Sequence, residues 1–305
     1  MNGDTVYDLK RLRLLREVRF RGTLAAAAEA LGYNPSTVSH QLAALEREVG
    51  VRLLEPIGRG VRLTDAALIL VDHTEHALRH LEEAEAEIAG HTGRLRGVVR
   101  VATFQTAAHA VLPAVAASLL HDHPTLRLRV RHIAVEDALP ALIARDFDLV
   151  LQEEFPGHPE LRVPGVQTEF AAEDPMWLVS ARTDPVDSLE DARDRPWAAE
   201  PEGTLARSWF TATCRSAGFE PRVLFESSDV LLHVRLAAAG AAVALVPGLA
   251  LRSDAGVAGR VHALRPYGEP SRTISLAIRS GSGRSPAIRA VSGAFISAFQ
   301  EMTGD

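Results

Sequence analysis

Cysteine and lysine are almost missing from this chain of 305 residues. Cys214 is the only cysteine, so a disulfide within one chain is impossible, and so is redox sensing by a cysteine pair. It reads as a small buried hydrophobe on a helix. Lys10 is the only lysine, and arginine supplies the other cations. No apolar run approaches the ~20 residues that a membrane helix needs. No basic-then-apolar leader opens the chain. A cytoplasmic location and no membrane partner are expected. A G-x-S-x-G elbow, a glycine-rich P-loop, a G-x-G-x-x-G turn and an H-E-x-x-H pair are all missing. That argues against an enzyme, and no cofactor is expected.

The net charge of −6 looks wrong for a nucleic-acid binder until it is divided along the chain. Residues 1–65 hold ten Lys/Arg and eight Asp/Glu, a balance of +2, and the remainder holds 23 and 31, a balance of −8. Only the first part needs to face phosphates, and the asymmetry permits DNA binding there without proving it.

The stretch Thr23–Gly50 organises that first part. Ala25, Ala27, Ala28 and Leu31 give a short helix with small apolar faces, which Gly32-Tyr33-Asn34-Pro35 breaks. Gly32 tolerates a positive φ past a helix end. Asn34 is expected to cap the next helix, with Pro35 in its first turn. From about Ser36 to Val49, Val38, Leu42, Leu45 and Val49 recur at i, i+4, i+7 and i+11 as one buried stripe. The other face carries Ser36, Thr37, Ser39, His40, Gln41 and Arg47. Such a pair is either an ordinary helical hairpin or a helix-turn-helix for a DNA major groove.

The surroundings favour the second reading. Asp8–Phe20 is an amphipathic helix with Leu9, Leu12, Leu15 and Val18 on one face and Lys10, Arg13 and Arg16 on another. Leu53-Leu54 and Val61-Arg62-Leu63 read as two strands around Gly58-Arg59-Gly60, a hairpin or wing. Its Arg59 and Arg62 are candidates for minor-groove or phosphate contacts. From Asp65 to Ala89 a long helical pattern runs without Gly or Pro. Leu70, Ala77, Leu81, Ala84 and Ile88 fit a short coiled coil, with Thr74 as the polar exception. One helix cannot bury that stripe alone, so a second subunit is expected. His73, His76 and His80 share one face of it, but no cysteine or tight carboxylate set accompanies them, and no metal is assigned.

After the glycine-punctuated hinge at 90–97 the pattern turns to alternating strands and helices. Val98–Phe104, a helix over 107–121, Leu126–Ile133, a helix over 135–144 and Asp148–Gln152 predict a βαβαβ parallel sheet. Further strands are expected at Phe170–Ser180, Trp197–Glu200, Arg222–Glu226, Ala242–Val246 and Arg272–Arg279. Helices are expected over 205–217, 229–239 and 286–302. This predicts two α/β lobes, with one crossing near Gln167–Phe170 and a return near Leu264–Ser271.

The run GTLAAAAEALGYNPSTVSHQLAALEREVGVRLLEPIGRGVRLTDAA resembles the winged helix-turn-helix of LysR-type transcriptional regulators (LTTRs). Ala27-Ala28, Ser39, Leu45-Glu46, Gly50 and Leu63-Thr64 carry the resemblance. It is dense from residue 8 to about 68 and continues as layout beyond. Two positions depart from the family pattern. Leu54-Glu55-Pro56 replaces Phe-x-Arg at the wing, which puts more weight on Arg59 and Arg62. Ala67 replaces a glycine within a helix, where alanine is favourable. The resemblance implies an α/β fold overall. A mainly α winged helix-turn-helix (1–64) is followed by a linker helix and hinge (65–93). A two-lobed effector domain of periplasmic-binding-protein type (94–305) completes the chain. Lobe I takes about 94–167 and 271–305, and lobe II about 168–270.

By position, Ser36, Thr37, Ser39, His40 and Gln41 would meet DNA, Ser39 at a phosphate and His40 and Gln41 at base edges, while Thr23 would touch backbone. The resemblance also implies a tetramer built from dimers, and RNA polymerase is a further candidate partner. In a two-lobed α/β domain, ligands bind at strand carboxyl ends near helix N-termini. That singles out Phe104, Gln105, Thr106, Glu153, Glu202, Gly203, Thr204, Ser228, Asp229 and Pro247 as candidate effector contacts. Glu153, Glu154 and Glu202 raise the option of a cationic or hydroxylated ligand. The expected function is a DNA-binding regulator modulated by a small effector of unknown identity. The alternatives are a ligand-independent DNA-binding repressor and an α/β enzyme.

Overall fold

The computed structural model describes residues 7–58, 60–92, 95, 97–157, 163–253 and 255–303. The chain divides into two compact units, Met1–Glu85 and Ala86–Asp305.

The first unit opens with α1 (Leu9–Arg21), α2 (Leu24–Leu31) and α3 (Pro35–Val49). Asp8 caps α1 by accepting from the Lys10 amide at 2.8 Å. Thr23 caps α2 through the Ala26 amide at 3.1 Å. Gly32 and Gly50 end α2 and α3 in the left-handed region, at φ 69° and 80°, where a side chain would be strained. Asn34 caps α3 only through its backbone: its carbonyl accepts from Val38 and its side chain makes no capping bond. The stripe read from the sequence is the core of this unit, with Val38, Leu42 and Leu45 at 1% exposure or less, packed against Leu12, Leu15, Ala27 and Ala28.

Arg16 departs from the expected polar face. It is buried, bonds Glu17 at 2.8 Å and Glu75, and lies 4.6 Å over the Phe20 ring. A buried guanidinium is tolerable because carboxylates compensate it.

Strands β1 (Leu54–Ile57) and β2 (Gly60–Leu63) pair antiparallel as the wing. Glu46 ties the wing to α3: one carboxylate oxygen accepts from the Leu53 and Leu54 amides at 2.8 and 3.0 Å. Thr64 donates to the Arg52 carbonyl and caps the next helix through the Ala67 amide. That helix, α4 (Asp65–Thr92), runs three residues past the predicted end. Its buried residues are Ala67, Val71, Thr74, Leu78 and Ala86, and Thr74 satisfies its hydroxyl on the Leu70 carbonyl at 2.7 Å. Of the predicted stripe, Ala77, Leu81, Ala84 and Ile88 stay exposed, Ile88 to 65%.

In the second unit, β3 (Gly97–Thr103), α5 (Gln105–Ala110), α6 (Leu112–Asp122), β4 (Leu126–His132), α7 (Val135–Ile143) and β5 (Leu149–Glu154) form the expected parallel arrangement, with β3 between β5 and β4. The single helix predicted over 107–121 is two, broken at Val111 just before Pro113, which has no amide to donate. The next strand, β6 (Val166–Ala181), is sixteen residues long. Then come β7 (Pro196–Ala199), α8 (Leu205–Ser216), β8 (Arg222–Glu226), α9 (Val230–Ala238) and β9 (Ala244–Pro247). The chain closes with α10 (Gly248–Ser253), α11 (Ala255–Ala258), β10 (Val261–Leu264), β11 (Ser271–Arg279) and α12 (Pro286–Thr303).

β6 carries the chain between lobes. Up to Pro175 it pairs antiparallel with β11 in the first lobe, and from Met176 it pairs with β9 and β10 in the second. The change therefore falls at Pro175/Met176 rather than near Gln167–Phe170, because one strand serves both sheets without a break. β10 has no counterpart among the expected strands.

Candidate functional sites

In the first unit, α3 presents Ser36, Ser39 and His40 exposed, and none of them has a bonding partner among the described residues. Thr37 is half-buried on the same helix. Gln41 is less free than the sequence suggests: its side-chain oxygen accepts from Arg11 Nε at 3.0 Å, and Arg11 also pairs with Glu48. Thr23 spends its hydroxyl oxygen on the cap of α2. On the wing, Arg62 is exposed and paired with Glu55 at 3.0 Å, a solvated pair of small worth. Arg59 lies outside the described residues. Arg13 on α1 and Arg52 before β1 are further exposed cations without a described partner, and neither is among the expected DNA contacts.

The α4 histidines do not converge. His76 meets Arg79 at 2.8 Å, His80 meets Glu83 at 3.1 Å, and His73 stands 6.5 Å from His76 between ring centres. No group of three metal-ligating side chains occurs among the described residues.

In the second unit the lobes meet around Arg272 of β11, a residue outside the predicted set. Its guanidinium donates to Asp174 Oδ2 from Nε at 3.0 Å and Nη2 at 2.7 Å, to Thr106 Oγ1 at 2.7 Å and to Glu153. It also lies 5.1 Å from the centre of the Phe104 ring. Three of the predicted residues, Phe104, Thr106 and Glu153, thus come together on one arginine. Asp174 Oδ1 accepts from the Leu249 amide at 3.0 Å, at the start of α10. Gly248 allows this approach, since a Cβ there would stand 2.9 Å from Asp174 Oδ1.

Further side-chain hydrogen bonds bridge the lobes. Gln105 donates to Asp229 Oδ1 at 2.8 Å and accepts from the Val230 amide at 2.9 Å. Glu136 of α7 accepts from the Leu205 amide at 3.3 Å, at the start of α8. Asp229 also caps α9 through the Leu231 and Leu232 amides. Thr204 caps α8 through the Arg207 amide, and Gly203 takes φ +93° in the turn before it. Glu202 points outward, 85% exposed and 3.7 Å from Arg207. Ser228 is exposed and unbonded among the described residues, while its neighbour Ser227 accepts from the Asp229 amide.

Beside Arg272 lies a cavity of about 30 Å³, room for one or two waters. Glu200, His233, Pro247, Met176, Trp209 and Phe210 are among the residues that line it. Burial in this wall pushes the Glu200 carboxyl up to about 8, with Glu153 adding, Arg272 opposing and Glu136 adding again. Burial also raises Glu153 against the pull of Arg272, and it lowers His233, which therefore stays neutral. His233 Nε2 donates to the Ser227 carbonyl at 2.9 Å. Glu200 ends a predicted strand at the cleft but is outside the predicted set of contacts, and His233 sits within α9, where nothing local signals a cleft.

Cys214 is 0% exposed in the core of the second lobe, and burial, with Glu220 adding, pushes its thiol up to about 12.

The family model for the "LysR substrate binding domain" matches residues 92–300, and that for the "bacterial regulatory helix-turn-helix protein, lysR family" matches residues 9–68. A probable hydrogen peroxide-inducible genes activator of Mycobacterium leprae is 31% identical over 92% of this chain and 90% of its own length. The transcriptional dual regulator GltC of Bacillus subtilis is 27% identical over 79% and 80%. Among solved structures, a full-length OxyR variant from Pseudomonas aeruginosa superposes with a TM-score of 0.70 at 20% identity, covering 95% of each chain. Full-length CbnR complexed with its target DNA superposes at 0.51 and 24% identity, covering 97% and 99%. At these identities the structures establish likeness of fold.

Proposed function

This chain belongs to the LysR family of bacterial transcriptional regulators, and from that premise we propose how it reads DNA and what governs the reading. The α3 face of Ser36, Thr37, Ser39 and His40 enters the major groove, with Gln41 at its edge through the amide nitrogen that Arg11 leaves free. Arg59 and Arg62 of the wing and Thr23 meet the backbone. Two chains pair through the face of α4 that keeps Leu81 and Ile88 exposed, and dimers associate into a tetramer. A small molecule held between the two lobes, among Gln105, Thr106, Glu153, Asp229 and Pro247, changes the angle between lobes and so the fit of paired readers on the operator.

The observation that carries the DNA reading is the row of exposed, uncommitted hydrogen-bonding groups Ser36, Ser39 and His40 on α3, opposite the buried Val38, Leu42 and Leu45. Selection of genomic fragments by the purified full chain, followed by footprinting, tests it. Protection of two half-sites a whole number of helical turns apart is expected. Binding without sequence preference contradicts it.

The peroxide response in the relative's name does not transfer by way of cysteine chemistry. A thiolate is the reactive form, and Cys214 is single, buried and raised in pKa. Reversible binding between the lobes is therefore the proposed signal.

A further inference from the structure

We propose that the molecule taken up between the lobes is a cation, a primary ammonium on an apolar body, whose head enters the cavity beside Glu200 and His233. This deepens the interlobe reading above and rests on it.

The first argument is occupancy. Helix starts in such a cleft ordinarily suit a carboxylate ligand. Here the chain fills three of them itself, while the starts of α5 and α7 have no capping side chain. The start of α8 is taken by Glu136 and Thr204, that of α9 by Gln105 and Asp229, and that of α10 by Asp174. An anion would have to displace the chain's own acceptors at each one.

The second argument is charge. Arg272, the one cation among the described residues of the cavity wall, is already matched by Glu153 and Asp174. Glu136 and Glu200 add two more carboxyl groups close enough to act on this cluster. Among the described residues no cation in this wall is left to receive an incoming carboxylate, whereas an ammonium lets the Glu200 carboxyl, held protonated by burial, ionise beside it.

The third argument is hydrogen bonding. Three polar groups in the wall have no hydrogen-bond partner among the described residues: the Trp209 indole N–H and two potential acceptors, the Glu200 carboxyl and Nδ1 of His233, a residue only 2% exposed. A carbonyl only accepts, so Nε2 carries the proton in the neutral ring and Nδ1 offers a lone pair. Glu200 becomes the second acceptor when it gives up its proton beside an incoming ammonium. Two acceptors call for a ligand that donates, and an ammonium has three N–H groups. Trp209 and Phe210 supply apolar and aromatic wall beside it, which suits a desolvated cation.

The test is thermal shift of the full chain at pH 7.5 with butylamine and benzylamine, against butyrate, benzoate, 1-butanol and benzyl alcohol. The amines are expected to raise the melting temperature with dose. Glu200→Gln should raise the half-effect concentration at least about tenfold, the scale of a lost charged hydrogen bond. Glu200→Ala gives the same reading should the Gln variant fail to fold. Stabilisation by the carboxylates instead, unchanged by either variant, overturns the cation while leaving the interlobe site standing. No stabilisation by either amine overturns it as well. The interlobe reading itself fails separately, if no member of a broad metabolite set changes either melting or DNA affinity.

Discussion

Arg272 and Asp174 are register partners on β11 and β6, and the guanidinium closes on one carboxylate oxygen from two nitrogens, at 3.0 and 2.7 Å. Both are 3% exposed. The pair sits where β6 leaves the first sheet for the second, so the same ion pair that satisfies two buried charges also fixes the crossover. Arg272→Met should leave Asp174 and Glu153 without their cation and cost about 3–5 kcal/mol. Urea unfolding of the full chain measures it, and a loss below ~1 kcal/mol would mean that water already screens this site.

The pH dependence follows from Glu200. Its carboxyl moves from an ordinary 4.5 to about 8 in the folded chain, so the folded state holds that proton more tightly. Its contribution is full below about pH 4.5 and is lost as pH rises through about 8. Melting temperature should therefore fall from pH 5 to 8 more steeply in the wild type than in Glu200→Gln, where no proton is at stake. Parallel curves would show that Glu200 titrates as a solvated acid.

Gln105 clasps the second lobe through Asp229 and the Val230 amide. Gln105→Ala should cost about 1 kcal/mol of lobe closure, the net worth of a typical hydrogen bond. Hydrogen exchange at the start of α9 should then speed up about fivefold, with the first unit unchanged. Equal exchange in both proteins would mean that the clasp contributes nothing in solution.

Cys214→Ala should keep DNA affinity and small-molecule response, since the thiol is an apolar filler in the core of the second lobe. Peroxide treatment of the wild type should leave its DNA affinity unchanged. A peroxide response abolished by this substitution would return redox chemistry to the account.

Local signals in the sequence recover local structure. The Val38, Leu42, Leu45 spacing locates the buried face of α3, and Gly32 and Gly50 mark the ends of α2 and α3, because those choices depend on residues a turn away. The alternation of strands and helices foretells the β3–β5 arrangement for the same reason. Arg16 misleads: it reads as solvent-facing until Glu75, far along the chain, arrives to neutralise it. The cleft is harder still. Thr106, Glu153 and Asp229 are legible as strand-end and cap residues. Arg272, Asp174, Glu200 and His233 acquire their roles only when β6, β7, α9 and β11 meet, and Arg272 reaches Thr106 across 166 positions. Glu202, beside Glu200 in sequence, points away, and nothing in the local pattern separates the two.

The most direct test of the account is the affinity of Ser39→Arg and His40→Ala for a genomic fragment selected by the wild-type full chain. Fluorescence anisotropy at fixed salt gives the affinities, and sedimentation gives the assembly state. Ser39→Arg should lose selective binding altogether, because a long side chain replaces a small group on the face of α3 that enters the groove. His40→Ala should weaken binding about tenfold or more, on the scale of ~1–3 kcal/mol for one base contact. Both should sediment like the wild type. Wild-type affinity in both variants would contradict the assignment of α3 as the reading helix.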